Sequence, residues 1–395
     1  MDKTNSNTNK YINIDIKQYG MIIALIAIFF LFYVLTGGKN ASPTNINNLI
    51  MQNGYIVILS IGMLLCVLTG NIDLGVGSIV ALCGATSAIF VVDLGMPTPV
   101  AFLAAIVIGT LSGVIVGFFV SVLSIPPFIV TLATMLMGRG LTYTMLQAQT
   151  KGPLPKDYTF LAIGFLPNIE ISLGAIKLDL VPIIIALIIT IFIILSAIKK
   201  DRERAKYGFP TIVKWQQAIV LFVILAILWF FLYKLARYNG IPVVLILMSV
   251  LIAIYHFITT KTIAGRQIYA LGGNAKAARL SGINTKLVFF WVYANMGLLS
   301  AVAGIVLSAR NASATPKAGD GFEMDAIAAC YIGGAATSGG VGTIIGAVVG
   351  AFTMGILNNG MSLVGLSTDI QKIVKGLVLL GAVTFDLLSK QKKNA

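Results

Sequence analysis

The sequence predicts an all-α, polytopic transmembrane helical bundle of about 10–12 spans with both termini cytoplasmic. Three observations carry that prediction. Of 395 residues, 57% are hydrophobic and only 11% charged, against roughly 25% charged in soluble domains. Apolar runs close to the ~20 residues that cross a bilayer recur along the chain. The 28 Lys and Arg residues outnumber 14 acids and gather in a few short loops, which is the positive-inside pattern. Without a basic stripe interleaved with aromatics, the charge does not point to nucleic acid. The 40 glycines suit close helix packing in lipid, where small residues let backbones approach. Cys66, Cys83 and Cys330 lie in apolar or small-residue runs without metal-ligand spacing and read as small buried side chains.

In chain order, residues 1–19 form a polar, Asn- and Lys-rich cytoplasmic tail, and residues 20–389 form a single transmembrane domain. The run 21–35 lacks a small-x-small cleavage site and reads as the first span rather than a signal peptide. The second span, 49–69, ends in LTGNIDLGVGS, which sets Asn71, Asp73 and Ser78 at the junction with the apolar run 74–92. The run 100–123 stops before Pro126-Pro127, and 128–146 is interrupted by Arg139. Residues 151–177 read as a long polar external loop. The span 180–198 runs into KKDRERAKYGFPTIVK, with six basic and two acidic residues, so 199–217 is a cytoplasmic loop. Runs 218–233 and 241–258 go out and back around Asn239-Gly240, which returns 259–286 to the cytoplasm. An uncharged span, 287–307, precedes an external segment, 308–323. The Gly-rich region 324–360 holds two apolar segments split at Gly339-Gly340, the first too short to cross alone. The last span is 370–388, and the tail 390–395 lies inside.

The polar stretch GRQIYALGGNAKAARLSGINTK, residues 265–286, stands out. Gly272-Gly273 break the chain, Asn274 is an N-cap, Ala275–Leu280 are helix formers, and Gly282 suits a left-handed C-cap. Lys261, Arg266, Lys276, Arg279 and Lys286 are unopposed by any acid. A capped basic helix between two spans is a cytoplasmic handle, carried by Gly273, Asn274, Ala275, Ala278, Arg279, Leu280 and Gly282.

Polar groups at membrane depth are expensive and point to function. Asn71, Asp73, Ser78, Arg139, Asn295, Asp325 and Asn358 are therefore candidates for a translocation pathway. Arg139 has a second reading, as a charge in a protein-filled helix break paired with a carboxylate such as Asp73. Asn358 and Asn359 also suit a helix end. Asp369, Lys372 and Lys375 have the spacing of a local i,i+3 ion pair. Two GxxxGxxxG ladders, Gly109-Gly113-Gly117 and Gly342-Gly346-Gly350, read as helix packing within the chain, with a subunit interface as the alternative. They also hint at an internal duplication.

No GxxxxGK[ST] loop is present, and the glycines around Gly340 have the wrong spacing and setting for a dinucleotide site. One histidine, His256, and no cysteine cluster leave no material for a metal site or a catalytic triad. The chain reads as a transporter of a neutral polar solute, with no cofactor, metal or nucleotide site of its own.

ALGGNAKAARLSGIN at 270–284 resembles the cytoplasmic coupling loop of permeases of monosaccharide ABC importers, the ribose/xylose/galactose type. The resemblance continues through MDAIAACYIGGAATSGGVGTIIGA at 324–347, NNGMSLVGLS at 358–367, LTGNIDLGVGSIVAL at 68–82 and PPFIVTLATMLMGRGL at 126–141, nearly the whole chain. The extra basic loop and helical pair, about 199–241, resemble the longer xylose-type members. The resemblance implies a permease domain in a bacterial inner membrane, paired with a second permease copy and embedded in lipid. It further implies two cytoplasmic ATPase subunits that use ATP, and an extracytoplasmic sugar-binding protein. In such systems the segment 274–282 docks in a groove of the ATPase. Here AKAA stands where relatives carry PEAA, and GGAATSGG where they carry a GGTSLSGG-like run. A secondary, ion-coupled sugar carrier and a same-fold permease for branched-chain amino acids are the alternatives.

Overall fold

In the computed structural model, residues 16–173, 176–207 and 214–394 are described. The expected tail 1–19 and basic loop 199–217 therefore lie partly outside the described residues. The elements in order are α1 (Ile16–Leu35), α2 (Pro43–Leu68), α3 (Val76–Val92), α4 (Thr98–Ser121), α5 (Pro127–Met145), α6 (Lys156–Ile163), β1 (Glu170–Leu173), β2 (Ile176–Asp179), α7 (Leu180–Lys206) and α8 (Lys214–Ala236). There follow α9 (Val243–Lys261), α10 (Ile263–Gly273), α11 (Ala275–Leu280), α12 (Thr285–Asn311), α13 (Phe322–Ile332), α14 (Ile344–Leu363) and α15 (Thr368–Asn394).

Among the described residues seven helices are long and apolar enough to cross a membrane: α2, α4, α7, α8, α9, α12 and α14. Residues 21–35 of α1 and all of α3 are shorter apolar helices. Helices α5 and α15 are 19 and 27 residues long but carry Arg139 and the Lys372/Lys375 pair. This is a polytopic helical membrane protein, with seven span-capable helices among the described residues where the sequence led us to expect 10–12 spans. Prolines at the first turns of α4 and α5 start those helices where a missing N–H costs nothing.

The contacts fall into two compact units. The smaller holds residues 165–241 with 41–47. Here β1 and β2 pair antiparallel, which corrects the reading of 151–177 as a plain polar loop. The Asp179 carboxylate ties the hairpin to α7, accepting from Ile169 N at 3.1 Å and Val181 N at 3.0 Å. Trp229 Nε1 donates to Thr190 Oγ1 at 3.1 Å across the α7/α8 pair. Leu166 N donates to Ile241 O at 3.0 Å, closing the base of this insertion.

The larger unit holds residues 20–40, 48–164 and 242–395. Its centre is α12, and glycine decides what packs there. A Cβ at Gly109 would sit 2.6 Å from the Ala301 methyl, and one at Gly297 would meet Gly113 Cα at 2.7 Å. Such backbone-to-backbone approach is what small residues permit in lipid. Gly84 of α3 faces Gly304 of α12, and Gly62 of α2 receives Met296. Tyr55 of α2 stacks on Phe322 of α13 at 4.1 Å between ring centroids. Helix α6, the second departure from the expected loop, is pinned by Tyr158. Its hydroxyl bonds Ser87 Oγ at 2.6 Å and Ser308 Oγ at 2.7 Å, joining α3 and α12. Each serine proton has a carbonyl of its own helix within reach as an alternative acceptor, so Tyr158→Phe leaves neither serine orphaned. It should cost about 1 kcal/mol, read as a lowered unfolding midpoint in detergent with unchanged expression.

Candidate functional site

Two helix breaks and the segment ending in the capped helix α11 converge on one place. The first break lies between α2 and α3. The sequence places a junction at Asp73 and opens the next apolar run at residue 74, and α3 itself starts two residues later, at Val76. Thr69 Oγ1 donates to Cys66 O at 2.7 Å, and Asn71 Nδ2 donates to Thr69 O at 3.2 Å. Asp73, 2% exposed, accepts from Gly75 N at 2.8 Å and so supports the entry to α3. Ser78 faces Gly138 of α5, and its buried Oγ has no hydrogen-bond partner among the described residues.

The second break lies between α13 and α14, at residues 333–343. Gly334, Gly339 and Gly340 take positive φ, open to glycine at no steric cost. Thr343 Oγ1 caps α14 by accepting from Gly346 N at 3.0 Å. The expected split at Gly339-Gly340 is present, with an 11-residue α13 on one side and a 20-residue α14 on the other.

The breaks touch each other. Gly340 N donates to Leu68 O at 2.9 Å, and a Cβ on Gly339 would lie 2.8 Å from Gly70 N. Helix α10 lies on this crossing. A methyl group at Gly272 would overlap the carbonyl oxygen of Leu68, and Tyr269 donates its hydroxyl proton to Gly342 O at 2.7 Å. The sequence reading missed Leu68, Gly70 and Tyr269. Its available signal was the recurrence of Gly-Gly pairs at 272–273 and 339–340, read only as chain breaks.

The handle itself has the expected limits. Asn274 accepts from Ala277 N at 3.0 Å, and Gly282 takes φ +84°. Gly282 N donates to Arg279 O at 3.1 Å and Ile283 N to Ala278 O at 3.1 Å, closing the C-terminus. Gly273 ends α10 rather than opening α11, which corrects its place in the handle: the capped helix runs from Asn274 to Gly282 without it. Ala278 is buried, Ala275, Lys276 and Arg279 are exposed, and Leu280 is 90% exposed. The helix thus turns one apolar side chain and two cations away from the fold.

The other candidates are scattered. Arg139 donates to the carbonyls of Pro316 at 2.9 Å and Ala318 at 2.6 Å. Its partner is backbone of the segment after α12, not Asp73. Asn295 accepts from the Tyr255 hydroxyl, linking α12 to α9, and its Nδ2 has no acceptor among the described residues. Asp325, 2% exposed, pairs with Lys375 Nζ at 3.0 Å. Asn358 of α14 borders the same carboxylate. Lys372 pairs with Asp320 at 2.9 Å, and this hydrogen bond holds the Asp320 carboxyl below the usual range. Both lysines reach across from α15 to α13 and the turn before it, which corrects the local i,i+3 reading. Gly109, Gly113 and Gly117 face α12, while Gly346 and Gly350 face Gly333 and Ala329 at the end of α13. Gly342 precedes α14, so the second ladder is not one continuous helix face.

Residues 45–383 match the family described as branched-chain amino acid transport system / permease component. The chain is 38% identical over 383 residues to the xylose transport system permease protein of Escherichia coli K12, covering 96% of this chain and 94% of that one. It is 36% identical over 381 residues to the Haemophilus influenzae Rd protein of the same name, covering 96% and 98%. Identity to the ribose import permease protein of Escherichia coli K12 is 34% over 342 residues, covering 87% and 85%. No solved structure matches the chain. With its breaks, its handle and this match in hand, the chain belongs to the branched-chain amino acid transport system / permease component family.

Proposed function

We propose that the chain is the membrane-spanning permease subunit of an ATP-binding-cassette importer, carrying a monosaccharide, xylose foremost, across the bacterial inner membrane. The carrying observation is the near-full-length identity to xylose permeases, 38% over 383 residues that cover 96% of this chain. The exposed capped helix α11 supports the reading. A permease without a nucleotide site needs a rigid cytoplasmic contact with the subunits that hydrolyse ATP. The partners are two cytoplasmic ATPase subunits, an extracytoplasmic sugar-binding protein, a second permease copy and membrane lipid. Both termini and α11 face the cytoplasm. The chain contributes no catalytic residue and binds no cofactor.

Buried neutral polar atoms at Ser78, Tyr293, Asn295 and Ser300 lack partners among the described residues, which suits transient hydrogen bonds to a polyol. A zwitterionic amino acid would want a free charge at depth, and Arg139, the cation in that role, is engaged by two carbonyls. In vesicles reconstituted with the ATPase and binding protein, labelled xylose should accumulate with ATP and be indifferent to a proton-gradient uncoupler. Uptake that survives removal of the ATPase but collapses with the uncoupler would instead make this an ion-coupled carrier. Uptake of leucine in place of sugar would move it to the amino-acid branch.

A further inference from the structure

A handle moves a membrane domain only through contacts stiff enough to carry displacement. Helix α11 offers few, since Ala278 is its one buried residue. The chain's firm contact with the membrane part lies just before it. Gly265, Ile268 and Leu271 bury one face of α10, and at its end Gly272 meets Leu68 main chain against main chain. Leu68 is the last residue of α2, and its carbonyl, one of those a helix end leaves free, is taken by Gly340 N at 2.9 Å. A Cβ on Gly340 would lie 2.8 Å from Gly273 N, and Tyr269 holds Gly342 O at 2.7 Å. These contacts contain almost no side-chain torsion that could absorb a shift.

We infer that Leu68, Gly272 and Gly340, with Tyr269, form the joint through which movement of α11 reaches both helix breaks at once. The inference rests on the coupling role proposed above for α11. Displacing the end of α10 displaces Leu68, which is continuous through 69–75 with α3. It also displaces Gly340, which is continuous through 341–343 with α14. The two breaks then respond together because they share one hydrogen bond and one neighbour. Gly272 and Gly340 are positioning residues, present because nothing larger fits between three backbones. Gly273 provides the internal control, since a methyl group there would meet nothing within 4 Å beyond its own helix and chain neighbours.

The test compares Gly272→Ala with Gly273→Ala in the assembled permease–ATPase complex, recording sugar uptake per ATP hydrolysed. Gly272→Ala should lower that ratio about tenfold, inside the range usual for coupling between sites, with basal hydrolysis retained. Gly273→Ala should match the wild type. Tyr269→Phe, which removes one hydrogen bond and keeps the ring, should lower the ratio about threefold. An unchanged ratio in Gly272→Ala, or an equal loss in both alanine variants, overturns the joint. If Gly272→Ala does not fold, a wild-type ratio in Tyr269→Phe overturns it. A second readout needs no ATPase: in the permease alone, Gly272→Ala should speed amide exchange at Gly340 at least tenfold over Gly273→Ala. Equal exchange rates count against the joint. Faster exchange in a complex whose wild type shows no ATP-driven uptake would leave the joint standing and sink the transport reading.

Discussion

Asp325→Ala will destabilise the permease by about 3–5 kcal/mol, the cost of leaving one member of a buried ion pair without the other. The Asp325 side chain is 2% exposed and that of Lys375 25%, at 3.0 Å. Removing the acid leaves the mostly buried Lys375 ammonium without the carboxylate it pairs with, and an unpaired charge at depth is expensive. Lys375→Met should cost a similar amount by stranding the carboxylate. The double variant should recover most of the loss, because an apolar pair of similar volume is close to neutral. Lys372→Met serves as contrast. Its pair with Asp320 is 65% and 66% exposed, so the change should stay below about 1 kcal/mol. Unfolding midpoints of the four variants in one detergent decide the matter. A neutral Lys375→Met would show that the pair does not tie α15 to α13.

Leu280→Asp will leave the permease folded and weaken its hold on the ATPase by about 2 kcal/mol, some 30-fold. Substitution at an exposed position usually changes stability by no more than about 0.5 kcal/mol, and Leu280 is 90% exposed. In the docking proposed for α11, this large apolar side chain, held out on a six-residue capped helix, is the anchor. Arg279→Glu should act differently, slowing association and changing its salt dependence more than the dissociation rate. Gly282→Pro removes the positive φ of +84° on which the C-terminal closure depends. It should uncouple hydrolysis from transport. Binding of immobilised permease to purified ATPase reads the first two effects. Equal affinity in Leu280→Asp and wild type would remove Leu280 from the interface.

The limits of α11 were legible because caps are local chemistry: Asn274 and Gly282 act within three or four residues of themselves. The helical membrane class was legible because composition and run length report the solvent directly. The start of α3 was less so, since the apolar run opens at Leu74 while the backbone is still turning on Asp73 and Gly75. The β1–β2 hairpin and α6 were hidden by brevity, eight residues or fewer each. Arg139 announced a buried charge but not its partner, because backbone carbonyls of Pro316 and Ala318 leave no mark in sequence. Lys372 and Lys375 suggested each other's helix, and their acids proved to be on and before another. The joint at Leu68, Gly272 and Gly340 follows the same rule, since each residue looks ordinary until the chain brings the three together.

The proposed function requires that this permease be driven through α11 by a separate ATPase in response to sugar arriving outside. Its most direct test is ATP hydrolysis by the complex in nanodiscs with candidate binding proteins, each with and without its sugar. Hydrolysis should rise when a xylose-loaded binding protein is added, and the rise should disappear in Gly282→Pro while the complex remains assembled. A rise that persists undiminished in Gly282→Pro, or hydrolysis indifferent to every loaded binding protein, would rule out drive through α11.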